Sequence, residues 1–169
     1  RNILQKQKSD TLNRIQKLLT RMNIKVQHLI SDIEGVSGMR LLRGIAEGIN
    51  DAEELLSLID VQRLKADKTD LVKSLKGNYK IQYICILKRT LKAYDFFKAQ
   101  MREYEELIEE VLIKMLPKDV QHKDPKIRVK TSHVRKNQYS INVKEYLQHI
   151  TGIDLTRIDG RDEISILEI

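Results

Sequence analysis

Four histidines and one cysteine are the side chains best suited to metal or nucleophile chemistry in this sequence of 169 residues. His28, His122, His133 and His149 are scattered, and Cys85 stands alone. Zinc sites of the common kinds bring pairs of ligands within a few residues of each other, and no such pair occurs. A Walker-type loop, a nucleophile elbow and a zinc signature are likewise missing from the sequence. Glu103, Glu105, Glu106, Glu109 and Glu110 form an acidic run that reads as a solvated helix face. Asp32 and Glu34 read as facing water or a cap, and Cys85 as a small residue at a helix–helix contact. The chain on its own is expected to catalyse nothing and to hold no cofactor or metal.

Charge points elsewhere. The formal net charge is +7, and it is unevenly spread. From Arg1 to Gly35 there are seven basic residues against three acidic, and from Pro117 to Ser140 seven against two. The second stretch carries Lys118, Lys123, Lys126, Arg128, Lys130, Arg135 and Lys136 with little apolar content, and reads as an extended basic linker. Such a run suits a polyanion, because each cation that neutralises a phosphate releases condensed counterions. A second candidate is the turn Gly35-Val36-Ser37-Gly38, followed by Arg40 and Arg43. A two-glycine turn between helices can present backbone N–H groups to a phosphate, as helix-hairpin-helix DNA binders do. The same glycines also serve as a tight corner and a cap.

The elements that position these residues are all helical. Tyr83, Leu87, Thr90, Tyr94, Phe97, Met101, Tyr104, Ile108, Val111 and Met115 alternate spacings of four and three, the period of a coiled-coil seam. They predict one helix from Tyr79 to Leu116, roughly 57 Å long at 1.5 Å per residue. Such a rod overhangs a domain of this length, so a partner helix is expected to cover part of it. Leu87, Tyr94, Phe97, Met101, Tyr104 and Ile108 are the candidate interface of a homo-oligomer. A first helix is predicted from Ser9 or Asp10 to Glu34, on the repeat of Leu12, Ile15, Leu19, Met22, Val26, Leu29 and Ile33, with Gly35 as its cap. Short helices follow at Met39–Glu47, from Asn50-Asp51 to Ile59, and at Lys68–Lys76. A further helix is predicted from Ser140 or Asn142 to Ile150, and an incomplete one at the end. No segment alternates like a strand.

The fold class expected is therefore all-α: long coiled-coil helices, a small cluster of short helices, the basic linker and a truncated C-terminal helical segment. The domains expected are a helical coiled-coil region over 1–116, the linker over 117–140, and the opening of another domain over 141–169. One cysteine permits no intrachain disulfide, and no apolar run is long enough to span a bilayer, so a cytoplasmic protein without a membrane partner is the expectation. The sequence begins at Arg1 and ends within a helical pattern, which reads as a fragment of something longer.

Three strings carry a resemblance. Residues 22–38, MNIKVQHLISDIEGVSG, closely resemble a stretch of the DEDD-type bacterial insertion-sequence transposases, the bridge-RNA-guided recombinase family. Leu75-Lys76-Gly77-Asn78-Tyr79, with Leu87-Lys88 and Tyr94-Asp95-Phe96-Phe97, is similar to a second family string, and residues 146–160, YLQHITGIDLTRIDG, to a third. The matches are ordered, lie at matching separations and cover nearly the whole chain. The chain departs from the family after Gly160, where Arg161-Asp162-Glu163 replace a hydrophobic helix start. The resemblance implies a DNA transposase or recombinase whose RNase H-like and serine-bearing domains lie on either side of this stretch. Mg²⁺ would serve the parent protein, and DNA with a structured guide RNA would be its partners. No catalytic residue carries over, because none of those motifs lies here. The implied role is oligomerisation and nucleic-acid binding in DNA transposition. The rival readings are a coiled-coil protein-interaction module with no nucleic-acid role and a stand-alone helix-hairpin-helix DNA binder.

Overall fold

In the computed structural model the described residues are 1–30, 32–64, 66–117, 139–158 and 163–167. They form seven α-helices and no strand: α1 Asn2–Arg21, α2 Val36–Ala46, α3 Ala52–Ser57, α4 Lys68–Leu75, α5 Ile81–Met115, α6 Val143–Thr151 and α7 Glu163–Leu167. The all-α class expected from the sequence is the class observed. No helix among the described residues is long and apolar enough to cross a membrane.

The chain divides into two compact units, one of Lys6–Lys98 and one of Arg1–Gln5 with Ala99–Ile169. This division differs from the sequence-based boundary at residue 116, and the reason is local packing. Tyr139, Ile141, Val143 and Tyr146 cover Leu112 and Leu116, so the residues after the basic stretch share a core with the second half of α5. Leu167 of α7 is partly buried against that same core.

In the Lys6–Lys98 unit the core joins Ile15, Leu18, Leu19 and Met22 to Leu41, Leu42 and Ile45 of α2, Leu55 and Leu56 of α3, Leu71 and Leu75 of α4, and Leu87 and Leu91 of α5. The first helix is shifted from the sequence expectation. It starts at Asn2 rather than at the Ser9-Asp10 cap, and it ends at Arg21 rather than Glu34. Asn23, with φ +56°, takes the left-handed position that ends it. Its N–H donates to Thr20 O at 3.0 Å, and that of Ile24 to Leu19 O at 2.9 Å. These are the paired bonds of a Schellman motif, sealed by buried Leu19 and Ile24. The apolar repeat continues past the break because Val26, Ile30 and Ile33 enter the same core from a 3₁₀ turn and a loop.

Gly35 accordingly starts α2 instead of closing α1. Gly38 allows the first turn of α2 to lie on the preceding loop: a Cβ there would come within 2.2 Å of Ile33 O. At the other end Gly48, φ +98°, closes α2 with the same Schellman pairing, Gly48 N–H to Ile45 O and Ile49 N–H to Gly44 O. Asp51 caps α3 as expected, its carboxylate accepting from Glu54 N at 2.8 Å.

Candidate functional site

The stripe that α5 buries follows the predicted seam only in part. Leu87, Leu91 and Tyr94 are buried in one unit, and Met101, Glu105, Leu112 and Leu116 in the other. Leu87, Tyr94 and Met101 lie seven residues apart on the predicted repeat, whereas Leu91, Glu105 and Leu112 each lie one residue past its Thr90, Tyr104 and Val111. Leu87 and Tyr94, expected at an oligomer interface, are fully buried in the chain's own packing. Met101 is also buried, and Phe97 and Ile108 are partly so. Tyr104 remains exposed, and with Leu107, Val111 and Met115 it makes an apolar face 48–57 % exposed along the second half of α5.

A buried polar cluster sits where α1, the loop before α2 and α5 meet in the Lys6–Lys98 unit. Lys8 Nζ lies 2.7 Å from Glu34 Oε1, with side chains only 10 % and 12 % exposed. The Tyr94 hydroxyl donates to the same oxygen at 2.7 Å. Burial, reinforced by the Glu34 carboxylate, holds the Tyr94 hydroxyl well above the ordinary tyrosine range. Glu34 therefore faces the interior, contrary to the solvent or capping role expected of it. Its charge is tolerated because a cation and a hydroxyl replace water.

The acidic run is likewise only partly solvated. Glu105 is 5 % exposed. One of its oxygens accepts from Arg1 Nε at 2.7 Å, and the other accepts from the Ser140 N–H and hydroxyl. The Arg1 guanidinium lies 4.1 Å over the Tyr139 ring, and Glu109 accepts from the Tyr146 hydroxyl at 2.9 Å. These carboxylates fasten residues 139–146 to α5. Cys85, expected at a helix contact, is exposed. Among the described residues no group of His, Cys, Asp and Glu is placed to hold a metal ion.

The two candidate nucleic-acid elements fare differently. Lys118, Lys123, Lys126, Arg128, Lys130, Arg135 and Lys136 lie outside the described residues. Arg40 and Arg43 are exposed on α2. Arg43 Nη2 is held 2.9 Å from Asp95, and Lys88 Nζ 3.2 Å from Glu47, so two ion pairs bridge α2 and α5. Arg40 makes no ion pair among the described residues. The turn before α2 is ill suited to phosphate, because Asp32 already accepts from Glu34 N at 3.0 Å and places a carboxylate there. The close approach of Gly38 to Ile33 gives the glycine a structural use instead.

Elsewhere, burial and the Asp51 carboxylate push the Tyr79 hydroxyl up to about 12. Asp154, after α6, accepts from Thr156 and lies 2.9 Å from Lys144 Nζ, which hold its carboxyl below the usual range. Comparisons with family models, with curated proteins and with solved structures find no match.

Proposed function

We propose that this chain is the central, non-catalytic part of an insertion-sequence transposase of the bridge-RNA-guided recombinase family. It serves DNA transposition by self-association and by holding nucleic acid. The observation that carries the reading is where the three family-like strings fall in the fold. Residues 22–38 hold the left-handed Asn23 and the close-approach Gly38. Residues 75–79 link α4 to α5, and 146–160 contain Gly152, the left-handed cap of α6. Two of the three left-handed residues among those described, Asn23 and Gly152, thus fall within strings that carry the resemblance.

Self-association is supported by the uncovered face of Tyr104, Leu107, Val111 and Met115, since apolar side chains three and four residues apart on one helix face suit a second helix. The nucleic-acid role is supported by seven basic residues against two acidic over Pro117–Ser140. That same apolar face, taken alone, favours a second reading, a protein-interaction module with no nucleic-acid role. Two measurements separate them: the light-scattering mass at tens of micromolar, and duplex binding across salt. A mass above the monomer with salt-dependent binding fits the proposal. Self-association without nucleic-acid affinity fits the second reading, and a monomer that binds nothing overturns both. Catalytic groups and Mg²⁺ belong, on this proposal, to other domains of the parent protein.

A further inference from the structure

We propose that the exposed face of α1, continued by the segment after it and by the end of α4, is a ridge that binds the phosphates of duplex nucleic acid. The ridge is made of Arg14, Lys17, Arg21, Lys25 and Lys76, all within the Lys6–Lys98 unit. It rests on the nucleic-acid reading above, but it is separate from the basic stretch and from Arg40 and Arg43.

Arg14, Lys17 and Arg21 stand three and four residues apart, so they share one face of α1, turned away from buried Ile15 and Leu19 and bordered by buried Leu18. They span about 10 Å of helix, the rise of about three phosphates along one strand. The Schellman turn then folds the chain so that Lys25 N–H donates to Ser74 O at 2.8 Å and Asn78 N–H to Met22 O at 2.6 Å. These two bonds bring the end of α4, with Lys76, alongside the end of α1. All five cations are exposed.

Lys8 has Glu34, Arg43 has Asp95, Lys88 has Glu47 and Lys73 has Asp70. None of the five ridge cations makes an ion pair among the described residues. Lys6, Arg40, Lys80, Arg89 and Lys92 also make no ion pair among the described residues, so what sets the five apart is their clustering on one acid-free surface. From Thr11 to Ile30 the sequence has four cations and no Asp or Glu. Asp10 lies one turn before Arg14 without pairing to it. The helix macrodipole accounts for a cation in the last turn, where Arg21 stands, but its effect has faded by Arg14.

The neighbouring surface favours nucleic acid over a lipid headgroup layer. Asn13, Thr20 and Asn23 are exposed beside the cations, and no exposed Phe, Leu or Ile lies on this face between residues 10 and 25. A membrane-surface helix needs such an apolar wedge. Phosphate contacts by Arg and Lys, with hydrogen bonds from Asn and Thr, position a duplex without reading its sequence.

The test compares three forms of the 169-residue chain on a 20-base-pair duplex, as DNA and as RNA, by fluorescence anisotropy across salt. One form is unmodified. One carries Arg14→Gln, Lys17→Gln, Arg21→Gln and Lys25→Gln, and the third carries Gln at Lys126, Arg128, Lys130, Arg135 and Lys136. The ridge variant is expected to lose about 3–4 units of log–log salt slope. Between 50 and 200 mM salt that corresponds to about 150-fold less loss of affinity than in the unmodified chain. The duplex showing the larger loss identifies the source of the phosphates. Replacing Arg14 and Arg21 by Lys keeps the charge and should keep the slope, which separates electrostatics from a folding defect.

If the ridge variant keeps the full slope while the linker variant loses it, the ridge inference is overturned and the nucleic-acid reading stands. If the unmodified chain binds neither duplex, both fall. Charge-dependent binding to phosphatidylserine vesicles, with no slope change on duplex, would also overturn the ridge and assign the face to a membrane surface.

Discussion

Glu34 gives the sharpest perturbation, because one carboxylate oxygen serves both Lys8 and Tyr94 at 2.7 Å. Glu34→Ala leaves a buried ammonium and a buried hydroxyl without their partner. Removing one member of a buried ion pair costs about 3–5 kcal/mol. Lys8 keeps a little solvent access, with its side chain 10 % exposed, which favours the lower end of that range. The orphaned Tyr94 hydroxyl adds about 1 kcal/mol. The expected loss is therefore about 3–4 kcal/mol, or about 2–4 M in urea midpoint at a slope of about 1–1.5 kcal/mol/M. Urea titration followed by far-ultraviolet circular dichroism reads it directly. The combination Lys8→Met, Glu34→Leu and Tyr94→Phe removes every polar partner together and should recover to within about 1 kcal/mol of the unmodified chain. A Glu34→Ala loss below 1 kcal/mol would refute the reasoning. So would a triple variant no more stable than Glu34→Ala, since the cost would then come from packing.

Gly38→Ala should cost about 2–3 kcal/mol by overpacking against the Ile33 backbone. Gly48→Ala has open space at its Cβ and pays only for its positive φ, about 1 kcal/mol, and paired denaturation curves order the two. Tyr79 and Tyr94 both have raised hydroxyl pKa values, with Tyr79 at about 12. Above about pH 10 the unfolded chain releases these protons while the folded chain keeps them, so stability is full below pH 10 and falls as pH rises toward 12. Tyr79→Phe with Tyr94→Phe should flatten that fall in thermal melts between pH 9 and 12. Leu107→Asp with Val111→Asp alters only exposed positions. It should bring the light-scattering mass down to the monomer with helicity unchanged, and an unchanged mass would remove this face from self-association.

The helical class was legible because apolar periodicity, glycine punctuation and Asp51 at a cap all pointed the same way. Two ends of the same Schellman type show where legibility stopped. Gly48 marks its helix end in the sequence, whereas Asn23 does the same work with a residue that is common elsewhere. The apolar repeat running through Val26, Ile30 and Ile33 hid the break, since a loop folding onto the core shows the same apolar residues as a helix continuing over it.

The seam of α5 was legible only in part. Leu87, Tyr94 and Met101 are buried as the repeat implies, but the rest of the buried stripe is Leu91, Glu105 and Leu112, each one residue past Thr90, Tyr104 and Val111, because the remainder of the chain packs against that side of the helix. The buried polar side chains were not legible at all. Lys8, Glu34 and Glu105 look like surface charges until distant parts of the chain supply partners. The α1 ridge was visible only as an excess of basic residues. It took the fold to bring Lys25 and Lys76 alongside the cations of α1.

The most direct test of the central claim is the salt dependence of duplex binding by the unmodified chain. A log–log slope of about −3 or steeper, nearly indifferent to sequence, is the predicted result for a protein that holds nucleic acid through phosphates. A flat dependence, or no binding at 50 mM salt, would contradict it and leave a helical interaction module without a nucleic-acid role.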